Sequence, residues 1–161
     1  MADEPVTPDA RESRPGGALR TVVRLVSVVF LLVGILGFVP GVTTDYDTMT
    51  FAGHESRAEL FGIFQVSVLH NLVHLLYGIV GLLMSGTAGR ARAYLVGGGV
   101  VYLLLWLYGL LIDKESGANF VPLNSADDWL HLALGVGMVL LGLVLPGRTP
   151  RTRGAHRAAR G

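Results

Sequence analysis

Four long apolar segments dominate the pattern of hydrophobic and polar positions along the chain. They cover residues 21–40, 60–84, 93–112 and 129–146, and the second and third contain no Asp, Glu, Lys or Arg. A bilayer core of about 30 Å needs about 20 apolar residues in helical conformation. Only helices and closed barrels satisfy their backbone in lipid, and these runs are too long for barrel strands. The pattern therefore predicts an all-α integral membrane four-helix bundle.

Composition agrees with a membrane location. The chain is 51% hydrophobic and only 16% charged, whereas about a quarter of the residues in a soluble domain are charged. Residues 1–19 are polar and Pro-rich and are expected to be a disordered segment. Residues 20–146 are expected to form the transmembrane domain, and residues 147–161 a basic tail. The chain has no cysteine, which excludes disulfides, thiolate metal ligands and a cysteine nucleophile.

Arginine placement predicts the orientation. Eleven of the thirteen Lys and Arg residues lie at the start of the first segment or before it, between the second and third, or after the fourth. Basic residues collect on the cytoplasmic side of a membrane, so both termini and the 85–92 loop are expected in the cytoplasm. The arginines of the tail would attract anionic lipid, although topology explains them equally well. No feature of the chain supports nucleic-acid binding.

Two serine-led patterns predict where helices start. Ser56 with Glu59, and Ser125 with Asp128, have the spacing of a capping box directly before an apolar run. In such a box the serine caps the helix, and the carboxylate three residues later interacts favourably with the free backbone N–H groups of the first turn. The second and fourth helices are therefore expected to begin at these two serines.

Polar residues interrupt the second apolar segment. At 100° per residue, Asn71 and His74 lie on one helical stripe and His70 lies beside it. Counted from the cytoplasmic ends, Tyr102 of the third segment lies level with His74 and is the expected hydrogen-bond partner of its imidazole. An intramembrane polar cluster of His70, Asn71, His74 and Tyr102 is therefore predicted.

A second polar cluster is predicted in the outer leaflet. His131 follows Asp127 and Asp128 at i+4 and i+3, so either carboxylate reaches its ring along one helix. Gln65 lies near the outer end of the second segment. The expected cluster comprises Gln65, Asp127, Asp128 and His131, with the histidine bonded to a carboxylate or to the glutamine.

Two interpretations of these clusters stay open. In the first, the protein is non-enzymatic and its polar seam serves packing or a membrane partner, which includes a second copy of the chain. In the second, the intramembrane histidines form a redox, proton or small-molecule site, because ionisable residues inside a membrane are functional by default. Hydrolase, nucleotide-binding and Walker-type motifs are absent from the sequence, which disfavours a conventional enzyme.

Haem, quinone and metal are the ligands that the second interpretation considers. A haem would need His131 and a histidine of the second segment as axial ligands. If the two capping serines are level, His70 and His131 differ in depth by about 12 Å, too far for one iron; if the cytoplasmic ends are level, they match. Zinc is disfavoured, because His70 and His74 lack the intervening glutamate and a third ligand.

Several motifs resemble those of a known family. Among them are Phe51-Ala52-Gly53-His54, His70-Asn71-Leu72-Val73-His74 and Trp129-Leu130-His131-Leu132. They resemble a family of small actinobacterial four-span membrane proteins catalogued as domain of unknown function 4383. The resemblance implies a multi-pass protein of the bacterial cytoplasmic membrane. It implies no reaction, cofactor or site residue.

Overall fold

The structure, a computed structural model, describes residues 16–147, and residues 1–15 and 148–161 lie outside the described part. The helices are α1 (Gly17–Leu36), α2 (Val68–Met84), α3 (Ala88–Leu111) and α4 (Ser125–Val144). Three short strands lie between α1 and α2: β1 (Thr43–Thr44), β2 (Glu59–Leu60) and β3 (Phe64–Gln65), with a 3-10 helix at Tyr46–Thr48. The expectations for the N-terminal segment and the basic tail thus fall almost wholly outside the described residues.

The helices have the composition of membrane spans. Three of them, α1, α3 and α4, are long and apolar enough to cross a membrane. The remaining helix, α2, is apolar but has only 17 residues, about 26 Å of helix. All four helices expose large aliphatic side chains, for example Leu25, Leu83, Leu104 and Leu143, a surface that suits lipid rather than water. The all-α class is confirmed, and the helices indicate a membrane protein.

The second helix begins later than predicted because a small antiparallel sheet precedes it. The strand order is β1-β2-β3. Phe61 and Gly62 connect β2 to β3 with φ of 57° and 67°, a left-handed conformation that interrupts a right-handed helix. The predicted start at Ser56 is therefore wrong. The Ser56 hydroxyl instead donates to the carbonyl oxygen of Val66 at 2.6 Å inside the sheet region.

The helix caps differ from the two predicted serines. Ser67 caps α2, and its hydroxyl oxygen accepts from the backbone N–H of His70 at 3.1 Å. Asn124 caps α4 in a reciprocal capping box with Asp127, and both bonds measure 3.0 Å. The box at Ser125 is therefore wrong by one residue. Asn is as favourable an N-cap residue as Ser. With the cap at Asn124, the third residue of the helix is Asp127 and not Asp128.

The helices pack as two pairs, α1 with α2 and α3 with α4. Glycine allows the close approach within each pair. A Cβ at Gly78 would lie 2.7 Å from the carbonyl oxygen of Ser27, and one at Gly99 would lie 2.8 Å from that of Gly135. Such backbone contacts hold helices together in lipid, where no hydrophobic effect does so. Aromatic rings fill the space between the pairs, chiefly those of Phe30, Tyr77 and Tyr102.

The two ends of the bundle differ in character. We call the end where α2 turns into α3 the arginine end, and the opposite end, which carries the three strands, the sheet end. At the arginine end the guanidinium group of Arg20 donates to the carbonyl oxygen of Ser85 at 3.1 Å. That of Arg24 lies 3.3 Å from the Ser85 hydroxyl. These bonds join the start of α1 to the turn after α2.

Candidate functional site

Three polar side chains lie on the buried face of α2: His70, Asn71 and His74. Nδ1 of His70 bonds to the carbonyl oxygen of Gln65 at 3.0 Å, and Nδ1 of His74 bonds to that of His70 at 3.0 Å. Because a carbonyl oxygen only accepts, the hydrogen sits on Nδ1 in both rings. Each neutral ring then presents Nε2 as a hydrogen-bond acceptor.

Tyr102 lies in the same region but does not bond to His74. Its ring stacks on that of Phe30, with centroids 5.5 Å apart and an interplanar angle of 12°, and lies 5.2 Å from the ring of His131. Phe30 in turn lies 5.7 Å from the His74 ring. The predicted bond from His74 to Tyr102 is therefore wrong. A backbone carbonyl within α2 bonds His74 instead, because each carbonyl oxygen has a second lone pair.

Helix α4 brings His131 to the same interface. His131 is 3% exposed, and its Nδ1 has no hydrogen-bond partner among the described residues. The sequence predicts a bond to Asp127, Asp128 or Gln65, and the structure shows none of these. The Gln65 side chain points elsewhere, since its amide donates to the carbonyl oxygen of Ser56 at 2.6 Å.

The observed caps change the relative depths at which the three histidines are expected. His74 lies seven residues after Ser67, and His131 lies seven residues after Asn124. Equal numbers of residues therefore separate His74 and His131 from the caps of their helices, and His70 lies about 6 Å nearer the cap of α2. The separation of about 12 Å between His70 and His131 assumed that α2 begins at Ser56, and this assumption is wrong because Ser67 caps the helix.

Asn71 belongs to the contact between α1 and α2 rather than to the histidines. Its amide lies against Gly37, where an added Cβ would overlap it. Its Nδ2 lies 3.9 Å from the sulfur of Met49. Its Oδ1 is buried without a partner in the part of the chain that the structure describes. The structure thus separates Asn71 from the predicted cluster of imidazoles.

Asp127 and Asp128 lie at the sheet end, in the first turn of α4. Oδ2 of Asp127 accepts from the backbone N–H of Gln65 at 3.1 Å, which ties α4 to β3. Oδ2 of Asp128 pairs with Nζ of Lys114 at 2.7 Å. Sequence reasoning missed Lys114. Its sequence context could have indicated the ion pair, because Lys114 is the single lysine of the chain and stands in a loop that is otherwise rich in acids.

The arrangement can accept hydrogen bonds in the middle of the bundle. The rings of His70 and His74 lie 4.4 Å apart, and both direct their N–H groups to backbone carbonyls. Within residues 16–147, no group of three His, Asp or Glu side chains is arranged to hold a metal ion. We call this region the histidine site (His70, His74 and His131). It offers Nε2 of His70 and Nε2 of His74 as acceptors, and the ring of His131, whose Nδ1 has no partner among the described residues.

Comparison with known proteins places the chain in a family. The family model described as Domain of unknown function (DUF4383) matches residues 20–144. The chain therefore belongs to this family, as its motifs predict. No curated protein and no solved structure matches it.

Proposed function

We propose that this member of the domain of unknown function 4383 family is a four-span membrane protein that binds a neutral, hydroxyl-bearing small molecule at the histidine site. One observation carries the proposal. All three rings are buried, with those of His70 and His74 4.4 Å apart and that of His131 against Tyr102, and none bonds to another helix among the described residues. A polar group inside a membrane is costly without a partner. A bound donor would supply that partner.

A role of these histidines in helix packing alone has less support. Polar residues that fix helix register do so through hydrogen bonds between helices. The histidine bonds instead stay within α2 or reach the residues just before it. Register between the pairs is set elsewhere, for example where the hydroxyl of Tyr94 on α3 donates to the carbonyl oxygen of Tyr77 on α2 at 3.2 Å.

The protonation state of the imidazole rings determines which class of ligand they can bind. Three neighbouring buried imidazoles resist a positive charge, because a charge without a counter-ion is costly away from water. Nε2 of His70 and Nε2 of His74 are therefore neutral acceptors that bind a hydroxyl group. The neutral His131 ring has one acceptor nitrogen and one N–H donor, so a ligand that has acceptors alone can pair with His131 but with neither ring of α2. A quinol head group, a hydroxylated lipid and a phenol all have the required donor. A quinone does not.

The four-span arrangement rests on the surface of α2. Leu76, Ile79 and Leu83 are 61%, 50% and 70% exposed, as expected of side chains that face lipid. The 17 residues of α2 reach the lower end of the length that crosses a bilayer, about 17–25 residues. The arginine distribution supports an orientation with the arginine end at the cytoplasmic face of the bacterial cytoplasmic membrane.

Binding of naphthol tests the proposal. Naphthol should raise the thermal unfolding temperature of the full chain in lipid nanodiscs, because a ligand that binds only the folded state stabilises it. Naphthoquinone, which has acceptors alone, should raise it much less. His70→Phe and His131→Phe should each remove the naphthol shift. His54→Phe, a matched control in a loop at the sheet end, should leave it intact.

Two outcomes would contradict the proposal. One is an equal shift with naphthol and naphthoquinone, or a naphthol shift that survives both phenylalanine substitutions. The other is a Soret band in the absorption spectrum of the purified protein, since a haem iron would then occupy the histidine nitrogens.

A further inference from the structure

Asp127 lies outside the histidine site and has an unusual bonding pattern. The side chain is 1% exposed. Its Oδ2 accepts two backbone N–H groups, from Asn124 at 3.0 Å and from Gln65 at 3.1 Å. Its Oδ1 has no partner among the described residues. One oxygen of a buried carboxyl group is thus saturated by neutral donors, and the other is unpaired.

The charges around Asp127 do not balance. Asp128, the adjacent acid, is also buried and pairs with the partly buried Lys114 at 2.7 Å. The other basic side chain at this end, Arg57, is exposed and lies 3.7 Å from Glu115. Two buried carboxyl groups therefore share one ammonium group, and Asp127 is the one without the direct ion pair.

The remaining titratable neighbours are histidines. His131 follows Asp127 by one turn of α4, and its Nδ1 has no partner in the described part of the chain. His70 bonds to the carbonyl oxygen of Gln65, whose own N–H bonds to Asp127, and His74 lies one turn deeper. None of these rings forms a hydrogen bond or an ion pair with Asp127 among the described residues, and buried imidazoles without a counter-ion favour the neutral form. The start of α4 supplies only partial positive charge.

We infer that the Asp127 carboxyl group is a proton-binding site, with the proton on Oδ1, at the sheet end of the bundle. A buried ionised carboxylate without a counter-ion is far more costly than the neutral acid. A proton on Oδ1 leaves Oδ2 free to accept both backbone N–H groups, as observed. The site places this proton one helical turn from His131. It rests on the carboxyl geometry and charge alone, and not on the ligand proposed for the histidine site.

Dicyclohexylcarbodiimide tests the inference, because this apolar reagent adds the O–H of a protonated carboxyl group across its C=N bond and spares carboxylates. The full chain in lipid nanodiscs should gain one reagent molecule, located on Asp127 by mass spectrometry. Asp127→Asn keeps both backbone bonds through its amide oxygen and should lose the adduct. Asp128→Asn, the matched control, should keep it.

Infrared spectroscopy provides a second readout that does not depend on access of the reagent. The C=O stretching band of a protonated carboxyl group should appear in the unsubstituted chain and in Asp128→Asn, and should disappear in Asp127→Asn. A band that persists in Asp127→Asn, or that is missing from the unsubstituted chain, would overturn the inference, as would an adduct on another acid. Loss or retention of naphthol binding changes none of these outcomes, so the two proposals fail separately.

Discussion

The arginine end and the interior toward the sheet end differ in whether their polar side chains have hydrogen-bond partners among the described residues. At the arginine end, three arginine side chains donate to oxygen atoms of neighbouring elements. Toward the sheet end, Oδ1 of Asp127, Oδ1 of Asp128 and Nδ1 of His131 have no partner within residues 16–147. The arginines of the first region are hydrogen-bonded, and these three polar atoms of the second region are not.

The difference follows from side-chain length and position. An arginine side chain is long, carries five N–H donors and reaches the carbonyl groups that a helix leaves free at its C-terminus. A carboxylate or imidazole on a helix face is short and reaches only its own helix or the element opposite. Buried polar groups are normally paired, so the unpaired ones mark where a ligand or a proton is expected.

The largest effect on stability is expected at Arg92, which donates to the carbonyl oxygens of Gly142 at 2.8 Å and Leu145 at 2.6 Å. Pro146 has no N–H for the Gly142 carbonyl, so Arg92 is the donor at this end of α4. Arg92→Leu should lower the free energy of unfolding by about 3 kcal/mol, measured by titration with SDS in mixed micelles. The exposed Arg90 is the control. An equal loss of unfolding free energy in Arg90→Leu would show that the hydrogen bonds of Arg92 are not the cause.

A smaller effect is expected at the cap of α4. Asn124→Ala loses the bond that its side chain accepts from the N–H of Asp127 and should cost about 1–2 kcal/mol. Ser125→Ala should cost almost nothing, because Ser125 is the first residue of the helix and not its cap. Thermal unfolding of both variants in detergent compares them. A greater cost for Ser125→Ala would restore the cap predicted from the sequence.

The smallest effect is expected at Tyr77, whose hydroxyl is buried without a partner in the described part of the chain. The neighbouring Tyr94 ring lies 5.5 Å away, and its hydroxyl is bonded. Tyr94→Phe should cost about 1 kcal/mol, whereas Tyr77→Phe should leave the free energy of unfolding unchanged or slightly higher. Denaturation of the pair under identical conditions measures the difference. If Tyr77→Phe were as destabilising as Tyr94→Phe, the unpaired hydroxyl of Tyr77 would contribute as much to stability as the bonded hydroxyl of Tyr94, and the comparison would fail.

Hydrophobic pattern was enough to find the helices but not the start of α2. The apolar run continues without a break from Leu60, so the pattern cannot separate β2 and β3 from the helix that follows. The left-handed turn at Phe61 and Gly62 separates them, and a bulky residue such as Phe61 rarely adopts that conformation. Ser67 caps α2 without an acid three residues later, so it lacks the sequence signature of a capping box.

The candidate site was partly visible in the sequence. Periodicity alone places His70 and His74 on the buried face of α2, and isolated polar residues in an apolar run are easy to recognise. Their depth relative to His131 was not visible, because it depends on where the caps of two different helices lie. The pairing of Lys114 with Asp128 was also missed, since it joins a loop to a helix across a short stretch of irregular chain.

Local chemistry and tertiary structure thus determined different features of this protein. The sequence by itself determined the membrane character, the number of helices and the polar face of α2, because each depends on composition or on the period of a single helix. Only the tertiary structure decided which nitrogens and oxygens are paired. Pairing depends on the distances between helices and on the depth at which each helix begins, and neither is encoded within one segment of the chain.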